Sequence, residues 1–332
     1  MLKINAHSMD QNRDIYGLKN SKNCDIDLNE VVKFGSGNEK KKVARRRWGI
    51  LAKALKSPSG SEPSSPTDDA SVRRISSFML LTTARLSSAP VVRRADNDRQ
   101  LNETNKRTWY KYSFTIDDCE YLVNVGHRDR TFSAEDLMGF NNTGNICIWP
   151  SEETLSYYVC SNLPLFNDKT VLELGGGMSC LAGLFVAKYG SAKHVTVTDG
   201  NKISVDNVQA TLHCNEFKGG VSCRVLKWGA EKSGEKYDVV LCADCLFFDD
   251  ARADLIDCIR SHLAQSGTAY VMAPQRGATL DEFVRQSELK GFKCRKVLNY
   301  SGLVWDKRAA LLSNFDYNDN IHYPILIEVT NF

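Results

Sequence analysis

The sequence predicts an α/β fold, a mostly parallel sheet with helices on both faces, and two observations carry that prediction. Short apolar runs at 170–174, 194–198, 221–226, 238–243 and 268–273 alternate with helical stretches at about 178–189, 201–215, 250–265 and 278–290, which is the rhythm of βαβ units. The first of those runs also feeds directly into three glycines, Gly175, Gly176 and Gly177, and then into an apolar helical pattern.

Composition agrees with a globular chain. At 332 residues, 42% hydrophobic and 25% charged, the protein has length for one or two domains and lacks the make-up of a fibrous, disulfide-stapled or wholly disordered chain. No apolar run approaches the ~20 residues a membrane helix needs. The N-terminus has no continuous apolar stretch of the secretory kind, so the cytoplasm, with the nucleus as second candidate, is the expected location. Eleven cysteines are scattered singly through apolar segments and read as reduced core thiols. Cys242 and Cys245 form a Cys-x-x-Cys with no second pair or neighbouring His to complete a tetrahedral site, so no metal is expected.

Taken in order, residues 1–43 are rich in Asn, Lys, Asp and Ser without sustained period and read as a disordered basic tail. Positions 1–56 carry a net charge of +7 and the remainder −4. Residues 44–56 place Trp48, Leu51, Ala52 and Leu55 at helical spacing opposite Arg45, Arg46 and Lys53, a short basic amphipathic helix. The Ser/Pro/Gly-rich stretch 57–67 is a linker. Residues 72–84 and 108–116 read as strands, and 119–126, following Asp117 and Asp118, as the second arm of a hairpin of unspecified turn type. This makes a small α+β region over 44–144, ahead of the main domain at 145–332. Beyond the last helical stretch, 293–300 and 322–330 read as strands with no convincing helix between them, and two strands so joined must be antiparallel or lie apart.

The glycine loop carries the chemistry. Glycines after a strand let the backbone turn with positive φ, let a ligand approach the main chain, and open on a helix N-terminus, although a merely tight turn would look the same. Glu173 just ahead of them is unwelcoming to a pyrophosphate but attractive to an ammonium group, and no Gly-Lys-[Ser/Thr] ending marks a P-loop. The strand His-Val-Thr-Val-Thr-Asp ends at Asp199, where a carboxylate can accept from both ribose hydroxyls, or else cap the helix starting near Asn201. A ribose without phosphate plus an amino group points to S-adenosylmethionine.

Three further stretches complete a resemblance. Ile-Trp-Pro-Ser-Glu-Glu at 148–153, Leu-Lys-Trp-Gly at 226–229 and Asp-Cys-Leu-Phe at 244–247, with the glycine loop, resemble the class I S-adenosylmethionine-dependent methyltransferases, and more narrowly the protein methyltransferase family 16 group. The resemblance implies a Rossmann-like seven-stranded sheet with an antiparallel C-terminal strand. It implies a cofactor site lined by Trp149, Gly175, Gly176, Gly177, Asp199, Trp228 and Ala243, and an acceptor site at Asp244 and Phe247. Ser-Val-Arg-Arg-Ile-Ser-Ser-Phe at 71–78 and His-Tyr-Pro-Ile-Leu at 322–326 are similar to members of the group that act on calmodulin, which implies calmodulin as protein substrate. Phe247 stands where some relatives carry Tyr, giving a roomier apolar wall in keeping with trimethylation.

Plainer roles stay open at this stage: core packing for Trp149 and Trp228, and a helix or loop cap for Asp244. Function too has competitors, namely a family 16 enzyme acting on another protein, or a nucleoside- or nucleic-acid-binding module that kept the fold without the reaction. The basic front of the chain, residues 40–47 with Arg73, Arg74, Arg93 and Arg94, could steer an acidic substrate. No nucleic-acid partner is expected, and a monomer is the default.

Overall fold

A computed structural model describes residues 77–88, 90, 107–128, 147–229 and 234–332. The expected tail, the basic helix at 44–56, the linker at 57–67 and the basic residues at 40–47, 73, 74, 93 and 94 lie outside the described residues.

A three-stranded antiparallel sheet comes first, made of β1 (Thr82–Arg85), β2 (Arg107–Ile116) and β3 (Cys119–Arg128). The hairpin between β2 and β3 turns at Asp117 and Asp118, both at positive φ (48° and 61°), which gives the tight two-residue connection that matches strand twist. Of the strand expected at 72–84, residues 72–76 lie outside the described residues, and of 77–84 the ladder takes up 82–84, running on to Arg85. The preceding residues 77–81 are coil, because the N–H groups of Phe78, Leu80 and Leu81 are taken by the Glu153 carboxylate, and that of Met79 by the Ser77 hydroxyl, and not by a neighbouring strand.

The second sheet holds β4 (Thr170–Leu174), β5 (His194–Asp199), β6 (Gly220–Val225), β7 (Tyr237–Ala243), β8 (Leu263–Pro274), β9 (Phe292–Val297) and β10 (Pro324–Asn331), in the spatial order β6-β5-β4-β7-β8-β10-β9. Val171 of β4 faces Val195 of β5 on one side and Val239 of β7 on the other, both pairings parallel. β10 runs antiparallel to both β8 and β9, so the seven-stranded sheet with its reversed C-terminal strand is present as expected. Its central strands are covered on both faces, and Val171, Leu172, Leu174, Val240, Leu241 and Cys242 have no exposed surface. That is why these segments read as unbroken apolar runs.

The helices are α1 (Pro150–Ser161), α2 (Leu181–Tyr189), α3 (Lys202–Leu212), α4 (Asp249–His262), α5 (Thr279–Leu289), α6 (Gly302–Leu311) and α7 (Asp319–His322). Two of these correct the sequence reading, which found no convincing helix between the last two strands. Ser301 caps α6 by accepting the Val304 N–H, but Val304 is the one fully buried residue of that helix, too little for an apolar stripe to show. α1 was also invisible to periodicity, for the opposite reason. Every residue from Pro150 to Cys160 is buried, Glu152 and Glu153 included, so no polar face exists. At 263–265 the chain is already strand where the reading extended a helix.

The hairpin lies on α2 and α3. Phe114 meets Phe185 at 5.1 Å and Tyr157 edge-on at 5.7 Å. The backbone of Leu122 exchanges two hydrogen bonds with the Tyr189 hydroxyl, and Asn215 closes a pair with the backbone of Asn124. Among the described residues no helix is long and apolar enough to cross a membrane.

Candidate active site

In an open α/β sheet, ligands bind beyond the carboxyl ends of the strands where the strand order reverses. Here that point lies between β4 and β7, since β4 is followed by β5 on one side while β7 and β8 continue on the other. The glycine loop leaves β4 at this point.

Gly175 and Gly177 have φ of 65° and 63°, values a side chain disfavours. The Gly176 N–H donates to the Thr198 carbonyl at 3.0 Å, tying the loop to β5. A methyl group on Gly175 would lie 2.8 Å from Cys245 Sγ and 3.0 Å from the Trp228 ring, so the indole and the thiol are both packed against the loop. Trp228 is half-buried and flanks the loop, placed to stack on a flat ring, a contact worth about 1 kcal/mol.

Asp199, at the tip of β5, accepts the Gly177 N–H on Oδ2 at 3.0 Å and the Asn201 N–H on Oδ1 at 2.8 Å. It does not cap α3. Asn201 does, taking the Ile203 N–H at 2.8 Å. Glu173 is buried beneath the loop and accepts the Gly183 N–H at 2.9 Å, so its carboxylate is turned toward α2. Glu152, from the Glu-Glu pair that follows Trp149, accepts the Ser179 hydroxyl at 2.5 Å and the Leu181 N–H at 3.3 Å. This brings the start of α1, with half-buried Trp149 at its head, beside the loop.

Burial pushes these three carboxyls up, Glu152 to about 7, Glu173 to about 8 and Asp199 to about 6. Charge repulsion adds to the first two: Asp199 raises Glu152, and both Glu152 and Asp199 raise Glu173. None has an ion-pair partner among the described residues. Three buried carboxyls short of positive charge around a glycine loop fit a nucleoside whose other end bears a sulfonium and an ammonium group. Asp199 would hold the ribose of S-adenosylmethionine, Trp228 and the small Ala243 its purine, and the loop amides its amino-acid end.

The residues expected at the acceptor site lie at the ends of β7 and β8. Asp244 follows β7 with φ of 52°, its N–H bonded to the Met272 carbonyl at 2.8 Å. Both of its carboxylate oxygens are taken by Arg276, Nη1 at 2.6 Å and Nη2 at 3.0 Å. The same guanidinium lies over the Phe247 ring, 5.4 Å from its centroid, and Phe248 meets Phe247 edge-on at 5.3 Å. Asp244 therefore does not cap α4, whose first turn begins after Phe248.

The hairpin also reaches the loop. His127 Nδ1 lies 3.0 Å from the Met178 sulfur and Nε2 lies 2.8 Å from the Tyr112 hydroxyl. Burial lowers the imidazole to about 4, so it is neutral at ordinary pH. Asn207 donates to the carbonyls of both Gly126 and Met178, fastening β3 to the residue that follows the third glycine.

The structure thus gathers Gly175, Gly176, Gly177, Glu173, Asp199 and Trp228 around one loop, and Asp244 and Phe247 around Arg276, with Ala243 between the two groups in sequence. Sequence reasoning missed Arg276, Glu152, His127 and Asn207. Arg276 had a signal: it lies three residues past the apolar run 268–273, near a strand's carboxyl end. The others had none, because their roles depend on elements brought together from far apart in the chain.

Residues 133–290 match the family described as lysine methyltransferase. The chain is 29% identical, over 86% of its own length and 96% of the relative's, to the calmodulin-lysine N-methyltransferase of Arabidopsis thaliana. It is 32% identical to the protein-lysine N-methyltransferase EFM3 of Chaetomium thermophilum, over 34% of this chain and 37% of that one. To the EEF1A lysine methyltransferase 3 of Mus musculus it is 30% identical, over 39% of this chain and 55% of that one.

Proposed function

We propose that this chain, which belongs to the lysine methyltransferase family, transfers methyl groups from S-adenosylmethionine to a lysine of calmodulin and continues to trimethyllysine. One observation carries the choice of substrate. The likeness to the calmodulin-modifying relative runs through 86% of this chain and nearly all of the relative, far beyond the matched family region at 133–290, whereas the likeness to the EEF1A enzyme spans 39% of the chain. Substrate choice in such a fold is made outside the shared cofactor site.

Bound S-adenosylmethionine supplies a methyl group on a sulfonium, open to in-line attack by a neutral amine. The chain has to orient the lysine, hold its amine as a neutral nucleophile and keep water out. Asp244 is the group to accept an amine N–H. Phe247 and Phe248 form the apolar wall, and their ring faces suit the cation that grows as methyl groups are added. Burial raises the carboxyls of Glu152, Glu173 and Asp199, so a cationic cofactor seated among them favours their ionised forms and is held by the charge it induces.

The experiment is intact-mass spectrometry of unmethylated calmodulin after incubation with the protein and S-adenosylmethionine, alongside Asp199→Ala. Increments of one to three methyl groups that vanish in the variant are expected. No increment with cofactor binding demonstrated would remove calmodulin as the substrate and leave the methyltransferase assignment standing.

A further inference from the structure

We infer that Arg276 is a resident cation in the acceptor site, seated where the target lysine must sit, and that lysine enters by displacing it. The inference rests on the reading that Asp244 and Phe247 receive the lysine side chain. Its basis is that one guanidinium satisfies both of those residues at once. It is bidentate on the Asp244 carboxylate, at 2.6 and 3.0 Å, and it overlies the Phe247 ring at 5.4 Å. A carboxylate bound fork to fork has both of its favoured in-plane directions used. With the Asp244 side chain 6% exposed and that of Arg276 15% exposed, an ammonium has no open approach to those oxygens while the guanidinium stays.

Three features show that Arg276 is held there at a cost to itself. Its Nε–H is buried without an acceptor, an arrangement that folded proteins avoid. Its backbone is left-handed, at φ 43°, a region that non-glycine residues rarely adopt. Asp244, its partner, is left-handed as well, at φ 52°. Paired strain of this kind gathers at sites that switch. The main chain at this point is nonetheless fixed, since the Arg276 N–H donates to the Asn320 carbonyl at 2.6 Å and the Gly277 N–H to Asn320 Oδ1 at 3.1 Å. The movement required is therefore of the side chain. Next to it, Gly277 has nothing within 4 Å of where a Cβ would stand, so there is open space beside the guanidinium's root.

A resident cation selects its replacement. A side chain that enters must itself offer charge or N–H donors to Asp244 and a cation to the ring, which lysine does and an apolar residue does not. Each methyl group added removes an N–H donor while keeping the cation, weakening the product's hold on Asp244 against the returning guanidinium.

The test is steady-state kinetics on the full chain with unmethylated calmodulin and S-adenosylmethionine, comparing wild type with Arg276→Ala and Arg276→Gln. Thermal unfolding and cofactor binding serve as controls for folding. Removing the competitor is expected to lower KM for the protein substrate several-fold. Added guanidinium ion is expected to inhibit Arg276→Ala competitively with the substrate. The inference is overturned if kcat falls in both variants with KM unchanged and guanidinium restores turnover, for then Arg276 orients Asp244 instead of standing in for lysine. Should Arg276→Ala not fold, Arg276→Gln, which keeps a donor for Asp244, reads the same KM change, and no fall in KM there also overturns it. Failure of the underlying reading shows separately: Asp244→Asn would then turn over like the wild type, whatever Arg276 does.

Discussion

The buried carboxylate of Glu153 accepts the backbone N–H of Phe78 at 2.8 Å, 75 residues away in the chain. It also takes the Leu80 and Leu81 N–H groups, at 2.8 and 3.0 Å, and the Ser77 hydroxyl at 2.9 Å. One side chain of α1 therefore replaces the strand that residues 77–81 lack. Phe78, fully buried, packs edge-on against Tyr317 and Tyr323. Glu153→Ala leaves three backbone donors without partners, at 1–3 kcal/mol for each group that stays dry, so a loss of about 3 kcal/mol is expected in urea unfolding. Protease cleavage near Met79, already 64% exposed, should quicken. A loss below about 1 kcal/mol would mean that water replaces the carboxylate.

Asp199→Ala removes the acceptor of two loop N–H groups, from Gly177 and Asn201, together with the proposed ribose contact. Hydrogen bonds to a charged group are worth roughly 1.5–3 kcal/mol each, so calorimetry should show S-adenosylmethionine affinity reduced by at least about tenfold. Unchanged affinity would take the ribose away from this carboxylate.

How much of this was legible in the sequence follows from which forces act locally. The central strands and the glycine turn were legible, because continuous apolar runs and backbone conformation are written over a few neighbouring residues. Asp199 could be placed at a strand end by the same logic, whereas Trp228 was reached through the resemblance of Leu-Lys-Trp-Gly to the family's segment. Arg276 could not be assigned to Asp244, because their pairing needs β7 and β8 to lie side by side. The roles of Glu152 and Glu153 were equally hidden. Adjacent acidic residues on a helix look solvent-facing, whereas here one serves the glycine loop and the other the segment at 77–81. Glu173 was expected to face a ligand's ammonium, and it sits beneath the loop against Gly183. Its sign of charge could be read, its direction could not.

Those buried carboxyls set a pH dependence. Glu173 is raised to about 8 and Glu152 to about 7, against the ordinary carboxyl range near 4. Between those limits the folded protein binds more protons than the unfolded chain, so stability falls as pH rises. Without cofactor the protein should be most stable near pH 5 and lose several kcal/mol by pH 9. Glu173→Gln should flatten that slope, and saturating S-adenosylmethionine, a cation that favours the ionised forms, should flatten it too. Urea unfolding at four or five pH values decides. A wild-type curve that is flat, or rises toward pH 9, would contradict the account.

Phe247→Tyr adds a hydroxyl to the wall proposed to face the methylated nitrogen. The extra atom takes up room and offers a hydrogen bond to an amine that still has an N–H, so the product should shift from trimethyl- toward mono- and dimethyllysine. The ladder of methyl increments in the intact mass of calmodulin, followed over time, reads this directly. An unaltered ladder would place Phe247 away from the transferring nitrogen.

Gly175→Ala tests the loop itself, with Gly291→Ala as its control. Both glycines have positive φ, 65° and 87°, so both variants meet the conformational penalty of about 1 kcal/mol. At Gly291 nothing lies within 4 Å of the added methyl, whereas at Gly175 it arrives 2.8 Å from Cys245 Sγ and 3.0 Å from the Trp228 ring. Overpacking of that kind adds roughly 1–3 kcal/mol. The excess loss in Gly175→Ala should be accompanied by weaker S-adenosylmethionine binding, because the ring that must move is the one proposed to stack on the purine. Equal losses in the two variants, with affinity preserved, would show that Trp228 yields freely and does not fix the purine.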